Sequence, residues 1–304
     1  MLNCKTKYTF AILGGDRRQA VIANELIALG QEVRLFGLGE AGFSCIGGTV
    51  CTDIAKALEG CNAVILPLPV TRNRVDLSMP LCQDERIDIT ELIETIKRSG
   101  CSYVFGGNLP AQFTKLEQEN GIIVCDYYKH EGLQRKNALA SAEGALMLTM
   151  EHTDITVSGL KALVCGYGRI GSMLAEMLDR LGADVTVAAR RDEVLCEASL
   201  NGFKTARLGG DTEYLRAAVE SSDVILNTVP HMILTETVIK GCSKKQLYIE
   251  IASSPGGIDL AKARDVGIRT VFAPSLPGRY APISAGKYIF DTIKEILAER
   301  GMNL

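Results

Sequence analysis

The sequence predicts an α/β protein built from two doubly wound, Rossmann-like domains with parallel sheets that face a cleft. Three observations lead there. Short apolar strand-like runs alternate with helix-like stretches, that alternation occurs twice, and a Gly-x-Gly-x-x-Gly turn opens the second series.

In the first series, Tyr8–Leu13, Glu32–Phe36, Ala63–Pro67, Tyr103–Phe105 and Ile122–Cys125 read as strands, each a short run rich in apolar residues. Between them Gln19–Leu29, Ile54–Leu58, Ile89–Ser99 and Ala111–Asn120 carry helical spacing. Glu131–Met150 is a longer helix with Leu133, Ala140, Ala145 and Leu148 among its apolar positions. The second series then gives strands Leu160–Cys165, Asp184–Ala189, Val224–Asn227, Leu247–Ile251 and Arg269–Phe272, with helices Ser172–Leu181 and Glu213–Ala218. The last helix, Ala285–Glu299, is placed to cross back to the first domain. The expected division is therefore 1–130, a connecting helix over 131–150, a cofactor domain over 151–284, and a C-terminal helical segment over 285–304.

Composition narrows the function classes. The chain has 304 residues, 47% hydrophobic and 23% charged, which is long enough for roughly two ordinary domains. A formal charge of −3 offers no basic field for nucleic acid or an anionic membrane, so a small metabolite is the expected ligand. The ten cysteines form no Cys-x-x-Cys pair and lie within strand-like and helix-like segments, the pattern of free thiols in a reducing cytosol. Three scattered histidines give no metal-ligand spacing, so no metal is expected. The N-terminus runs straight into a strand and apolar runs reach only about ten residues, too few to span a bilayer. A cytoplasmic location is expected.

The most informative motif is Gly166-Tyr-Gly168-Arg169-Ile170-Gly171, directly after one strand and directly before a helix. Gly166 permits the tight turn, Gly168 lets backbone amides approach a pyrophosphate, and Gly171 lets the helix pack on the sheet. The helix N-terminus then favours the phosphates. NAD-preferring domains place an acidic residue about 20 residues further on, where it binds the ribose 2′-hydroxyl. Here Arg190 and Arg191 follow the second strand, and a guanidinium pairs with a 2′-phosphate. NADP is the expected cofactor, with NAD as the alternative; Asp192, immediately after, works against that preference, and in the competing reading one or both arginines, Arg191 above all, are solvated loop charges. Asn227, Thr228 and Pro230, at the end of a later strand, are expected beside the ribose and nicotinamide. Pro230 serves equally as a strand terminator.

In the first domain Gly14-Gly15-Asp16-Arg17-Arg18 also joins a strand to a helix but lacks the dinucleotide spacing. Its backbone amides and Arg17 form a candidate carboxylate site. In the competing reading Asp16 merely caps the helix. Arg72 and Arg74 are either ligand contacts or solvated charges.

Several blocks carry a more specific signal: G-G-D-R-R-Q near the N-terminus, N-A-L-A-S-A-E-G-A over 137–145, G-Y-G-R-I-G, A-A-R-R, I-A-S-S-P-G-G over 251–257, and S-L-P-G-R-Y-A-P-I-S-A-G over 275–286. Over essentially the whole chain they resemble the A-subunit family of bacterial dipicolinate synthase. The resemblance implies NAD(P)-dependent oxidation of a dihydrodipicolinate-type product of the lysine pathway to dipicolinate, in the mother cell of a sporulating bacterium. It also implies a partner, the flavoprotein-like B subunit, beside a homo-oligomer. Under that reading Gly15, Asp16 and Arg17 and a Pro277-Gly278-Arg279 turn hold the two substrate carboxylates, with Ser141 nearby. Glu143 is a candidate proton acceptor or an interdomain hydrogen-bonding group, and His231 is the other candidate base or a surface or core residue.

Two other readings compete. A two-domain 2-hydroxy-acid or amino-acid dehydrogenase shares the plan, but the arginine and histidine that hydroxy-acid enzymes place after the last two strands are replaced by Ala252-Ser-Ser-Pro-Gly-Gly and Pro274-Ser-Leu-Pro-Gly. A non-catalytic NADP(H) sensor is the alternative from another class.

Overall fold

A computed structural model describes residues 7–209 and 212–304. The chain separates into two units, one of Met1–Asn137 with Ala281–Leu304 and one of Ala138–Tyr280.

The first unit contains β1 (Thr9–Leu13), α1 (Arg17–Ala28), β2 (Glu32–Phe36), α2 (Glu40–Phe43), β3 (Thr49–Val50), α3 (Ile54–Leu58), β4 (Ala63–Ile65), α4 (Ile89–Ser99), β5 (Tyr103–Gly106), α5 (Thr114–Asn120) and β6 (Ile123–Asp126). Its strands pair in parallel in the order β3-β2-β1-β4-β5-β6. Central strands are apolar along their length because helices cover both faces, as all-parallel sheets require. Four of the five residues of β1 are fully buried, and so is every residue of β4.

Local chemistry sets the helix ends. Asp88 caps α4 by accepting from the amides of Thr90 and Glu91, and Gly100 closes it in the left-handed conformation. Ile89, Leu92, Ile93 and Ile96 make its buried stripe. The segment expected as one helix over Ala111–Asn120 begins as a 3-10 turn, Ala111–Phe113, before α5.

The helix α6 (Glu131–His152) contributes to both units. Leu133 joins the core around β1, whereas Ala142, Ala145 and Leu148 join that of the second unit. The second unit accordingly starts inside this helix, at Ala138, rather than after it. It continues with β7 (Lys161–Cys165), α7 (Arg169–Arg180), β8 (Asp184–Ala189), α8 (Asp192–Leu200), β9 (Lys204–Arg207), α9 (Thr212–Glu220), β10 (Val224–Asn227), α10 (Glu236–Ile239), β11 (Leu247–Glu250), α11 (Leu260–Val266), β12 (Arg269–Phe272) and α12 (Leu276–Tyr280). The strand order β12-β11-β10-β7-β8-β9, all parallel, repeats that of the first unit.

The last helix, α13 (Pro282–Glu299), belongs to the first unit. Proline at its start supplies a pre-set φ without losing a helical hydrogen bond. Ile289, Phe290, Ile293 and Leu297 enter the core shared with α1. Gly286 makes the close approach: a Cβ there would lie 2.7 Å from Val21 Cβ and 2.9 Å from the Arg18 carbonyl oxygen. Among the described residues no helix is long and apolar enough to cross a membrane.

Candidate functional site: a dinucleotide cradle in the second unit

In the second sheet the strand order reverses between β7 and β10, and open sheets of this kind bind ligands outside the carboxyl ends of the strands at that point. The turn leaving β7 is built as its glycines require. Gly166 has φ +95°, and a side chain there would collide with the Thr228 hydroxyl. A side chain on Gly171 would drive into the carbonyl oxygen of Gly166. Gly168, which precedes α7, is exposed, and a Cβ there would meet nothing within 4 Å. Gly171 thus lets the turn close on its own backbone and Gly166 lets it pack against Thr228 and Val229, while the middle glycine leaves open space in front of the helix N-terminus. Arg169 is exposed and Ile170 half-buried in the first turn of α7. Tyr167 folds away, edge-on to Phe203 with ring centroids 5.9 Å apart, and its hydroxyl accepts from Asn201 at 3.1 Å.

Next to this turn, β8 ends at Ala189, and Arg190 and Arg191 follow it, both exposed. No carboxylate pairs with either among the described residues. Asp192 is ion-paired to Arg207, at the end of the adjacent strand β9.

The loop leaving β10 corrects one expectation. Asn227 is fully buried and points into the protein rather than toward a ligand. Its Nδ2 donates to the Val229 carbonyl at 2.9 Å and to Glu250 Oε1 at 2.8 Å, while its Oδ1 accepts from the Val229 amide at 2.9 Å. Thr228 stays half-buried at the rim and donates to the Cys165 carbonyl at 2.8 Å, which ties the β10 loop to the β7 turn. Pro230 and His231 are exposed beyond it.

Glu250, which sequence reasoning overlooked, organises this region. It is 4% exposed and accepts from Asn227, from the Tyr248 hydroxyl at 2.8 Å, from the Gly257 amide at 2.7 Å and from the Ala252 amide at 3.2 Å. Burial first, then the neighbouring Glu250 carboxylate, push the Tyr248 hydroxyl far above the usual phenol range. The same two causes push the Cys165 thiol up to about 12. Gly256 and Gly257 let the loop approach: a Cβ at Gly256 would lie 3.0 Å from Glu250 Oε2, and one at Gly257 would strike the Asn227 amide. The Ile-Ala-Ser-Ser-Pro-Gly-Gly block thus wraps a buried carboxylate. The available signal was an acidic residue ending the otherwise apolar strand Leu-Tyr-Ile-Glu.

The equivalent reversal in the first unit, between β1 and β4, is filled by its own chain. The Gly14 amide donates to the Phe36 carbonyl and the Gly15 amide to the Ser78 carbonyl, both at 2.8 Å, so the Gly15 amide is not presented to a carboxylate as expected. Asp16 caps α1 by accepting from the Arg18 amide at 3.1 Å, and it pairs in two-pronged fashion with the Arg18 guanidinium at 2.8 Å. Arg18, only 5% exposed, also donates from its guanidinium to the Leu68 carbonyl. Tyr127 donates to the Leu66 carbonyl at 2.9 Å, and the Gly107 amide to that of Pro67 at 3.1 Å. The loop that leaves β4 is therefore pinned where a dinucleotide would need space. Arg17, by contrast, is exposed, as are Arg72 and Arg74, with Arg72 donating to Ser78 Oγ at 3.3 Å.

The remaining candidates lie on α6 and α12. Ser141 is buried and Glu143 exposed. Gly144 brings α6 against α12, where its Cβ would be 3.1 Å from Leu276 Cβ. Pro277-Gly278-Arg279, expected as a turn, is helical within α12; Gly278 is buried and Arg279 is exposed, stacked 5.1 Å from the centroid of Tyr280. The structure thus groups Gly166, Gly168, Gly171 and Thr228 at one site, with Arg190 and Arg191 on the neighbouring strand end, and turns Asn227 away from it.

Comparison with known proteins gives two family matches. Residues 9–128 match the N-terminal domain family of the dipicolinate synthase A subunit, and residues 134–252 match D-isomer specific 2-hydroxyacid dehydrogenase, NAD binding domain. The dipicolinate synthase A subunit of Bacillus subtilis (strain 168) is 28% identical over 294 residues, covering 97% of each chain. The crystal structure of that synthase's A chain from Bacillus subtilis superposes with a TM-score of 0.78 at 29% identity, covering 97% of each chain. The crystal structure of its Bacillus halodurans counterpart gives 0.79 at 26%, covering 97% of this chain and 98% of that one. The second unit therefore carries an NAD(P)-binding Rossmann domain.

Proposed function

We propose that this chain, a relative of the dipicolinate synthase A subunit over its whole length, is the oxidoreductase component that dehydrogenates dihydrodipicolinate, derived from the lysine pathway, to dipicolinate with NADP as oxidant. The observation that carries the reading is the glycine cradle at the end of β7, open at Gly168, with the exposed pair Arg190 and Arg191 directly after the neighbouring strand β8. Backbone amides at the start of α7 would hold the pyrophosphate, and the two guanidinium groups a 2′-phosphate.

When bound, the nicotinamide supplies a hydride acceptor. The chain's own work is to hold the ring, receive a proton and keep the adenine end anchored. Loss of one hydride and one proton aromatises a dihydropyridine ring, so orientation is most of what the protein must provide. With the Gly15 amide and Asp16 already engaged, Arg17 and Arg279, both exposed, remain the candidate cations for substrate carboxylates. Glu143 and His231 are both exposed and are the candidates for the proton acceptor. The partner in this reading is a flavoprotein-like B subunit, with the complex working in the mother-cell cytoplasm during sporulation.

The test mixes the chain, NADP and freshly generated dihydrodipicolinate precursor, with and without the B subunit, and follows reduced nicotinamide and dipicolinate together. Stoichiometric appearance of both is expected. Cofactor binding without turnover in either mixture would overturn the assignment and favour the sensor reading.

A further inference from the structure

The ribose end of the cradle contains a charge conflict. Three arginines and two acids gather at the ends of β8 and β9: Arg190 and Arg191 after β8, Asp192 and Glu193 in the first turn of α8, and Arg207 at the end of β9. Parallel register sets Arg207 directly beside Ala189, the last residue of β8. Asp192 follows the arginine pair directly in the chain, where its charge opposes a 2′-phosphate, which carries between one and two negative charges near neutral pH. It is also the kind of residue that accepts a hydrogen bond from an unphosphorylated ribose 2′-hydroxyl. Its carboxylate is instead taken by the Arg207 guanidinium.

We infer that Arg207 determines the cofactor preference by holding Asp192, so that Arg190 and Arg191 meet the phosphorylated ribose unopposed. The inference rests on the reading that the second unit binds NADP. With Arg207 the five charged groups leave a net positive site; without it the site is neutral and Asp192 is released. Arg207 is a positioning residue: it acts through Asp192 and need not touch the cofactor. Both side chains of the pair are about half or more exposed, at 52% and 74%, so water and salt screen the interaction. Its effect is then of the size of a surface ion pair, about two- to fivefold in affinity, and shrinks as salt is raised.

The experiment measures the dissociation constants of NADP and NAD for the whole chain and for Arg207→Ala, Arg207→Lys, Asp192→Asn and the double variant Arg207→Ala/Asp192→Asn, at low and high salt. All four changes are at exposed positions, and a thermal melt checks that each variant is folded. Arg207→Ala should lower NADP affinity about two- to fivefold while leaving NAD affinity equal or better. Arg207→Lys should keep the preference, and the double variant should recover the NADP affinity lost in Arg207→Ala. An unchanged NADP-to-NAD ratio in Arg207→Ala would overturn the inference. So would a double variant as weak for NADP as Arg207→Ala, because Arg207 would then act on the phosphate directly. Wild-type chain that binds neither dinucleotide would instead overturn the underlying cofactor reading, and a wild-type chain that binds both equally would remove the preference to be explained.

Discussion

Glu250 and Arg18 are the two buried charged side chains on which the loops at the carboxyl ends of the sheets are hung. Glu250 gathers Asn227, Tyr248, Ala252 and Gly257, and through Asn227 it fixes the loop that carries Thr228. Each donor is matched to a carboxylate oxygen, so Glu250→Gln would set an amide N–H against at least one of them. Leaving a buried donor unsatisfied costs about 1–3 kcal/mol, and more where a charge is involved. We expect Glu250→Gln to lower stability by about 2–3 kcal/mol in chemical denaturation; a loss below about 0.5 kcal/mol would mean that the network adds little. Arg18 illustrates what sequence alone hides. Arg17 and Arg18 are adjacent in G-G-D-R-R-Q and chemically alike, yet helical geometry exposes the first and buries the second against Asp16 and the Leu68 carbonyl. Asn227 was misread for the same reason: its place at a strand end was legible, but the direction of its side chain depends on Glu250, 23 residues away.

Among the elements, those with an apolar stripe or a short β-type run between turn residues were legible, often to the residue: β2, β8, β10, β12 and α4 begin and end where the pattern puts them. Those missed are short or lie at edges. α8 buries only Ala198, and β9 (Lys-Thr-Ala-Arg) only Ala206, so neither shows a periodic core face. That gap concealed Arg207. β3 has two residues, both exposed at the edge of its sheet. The glycine cradle was legible because Gly166 and Gly171 allow close approaches that a side chain would block, and Gly286 of α13 is a further case. Gly286→Val would press a branched side chain against Val21 and the Arg18 carbonyl. Overpacking of this kind costs about 1–3 kcal/mol. A thermal melt should show a clear fall in midpoint, and an unchanged midpoint would mean that α1 and α13 separate freely.

At the scale of the whole molecule, one architecture occurs twice with opposite outcomes at the strand-order reversal. Both sheets follow the same order, and both place a glycine turn after their first strand. In the first unit Gly14 and Gly15 are bonded to Phe36 and Ser78, and the adjoining loop is pinned by Arg18 and Tyr127. In the second unit the space in front of Gly168 is open and arginines stand beside it. The spacing of the glycines foretold this difference; the contacts that fill the first crevice come from Phe36, residues 66–79 and Tyr127, far from the turn in sequence. The most direct test is a calorimetric titration of the whole chain and of Gly168→Val with NADP, NADPH and NAD. One dinucleotide per chain should bind, NADP more tightly than NAD, and Gly168→Val should abolish binding while remaining folded. Undiminished binding to folded Gly168→Val, or no binding to the wild-type chain, would contradict the assignment of this turn as the dinucleotide cradle.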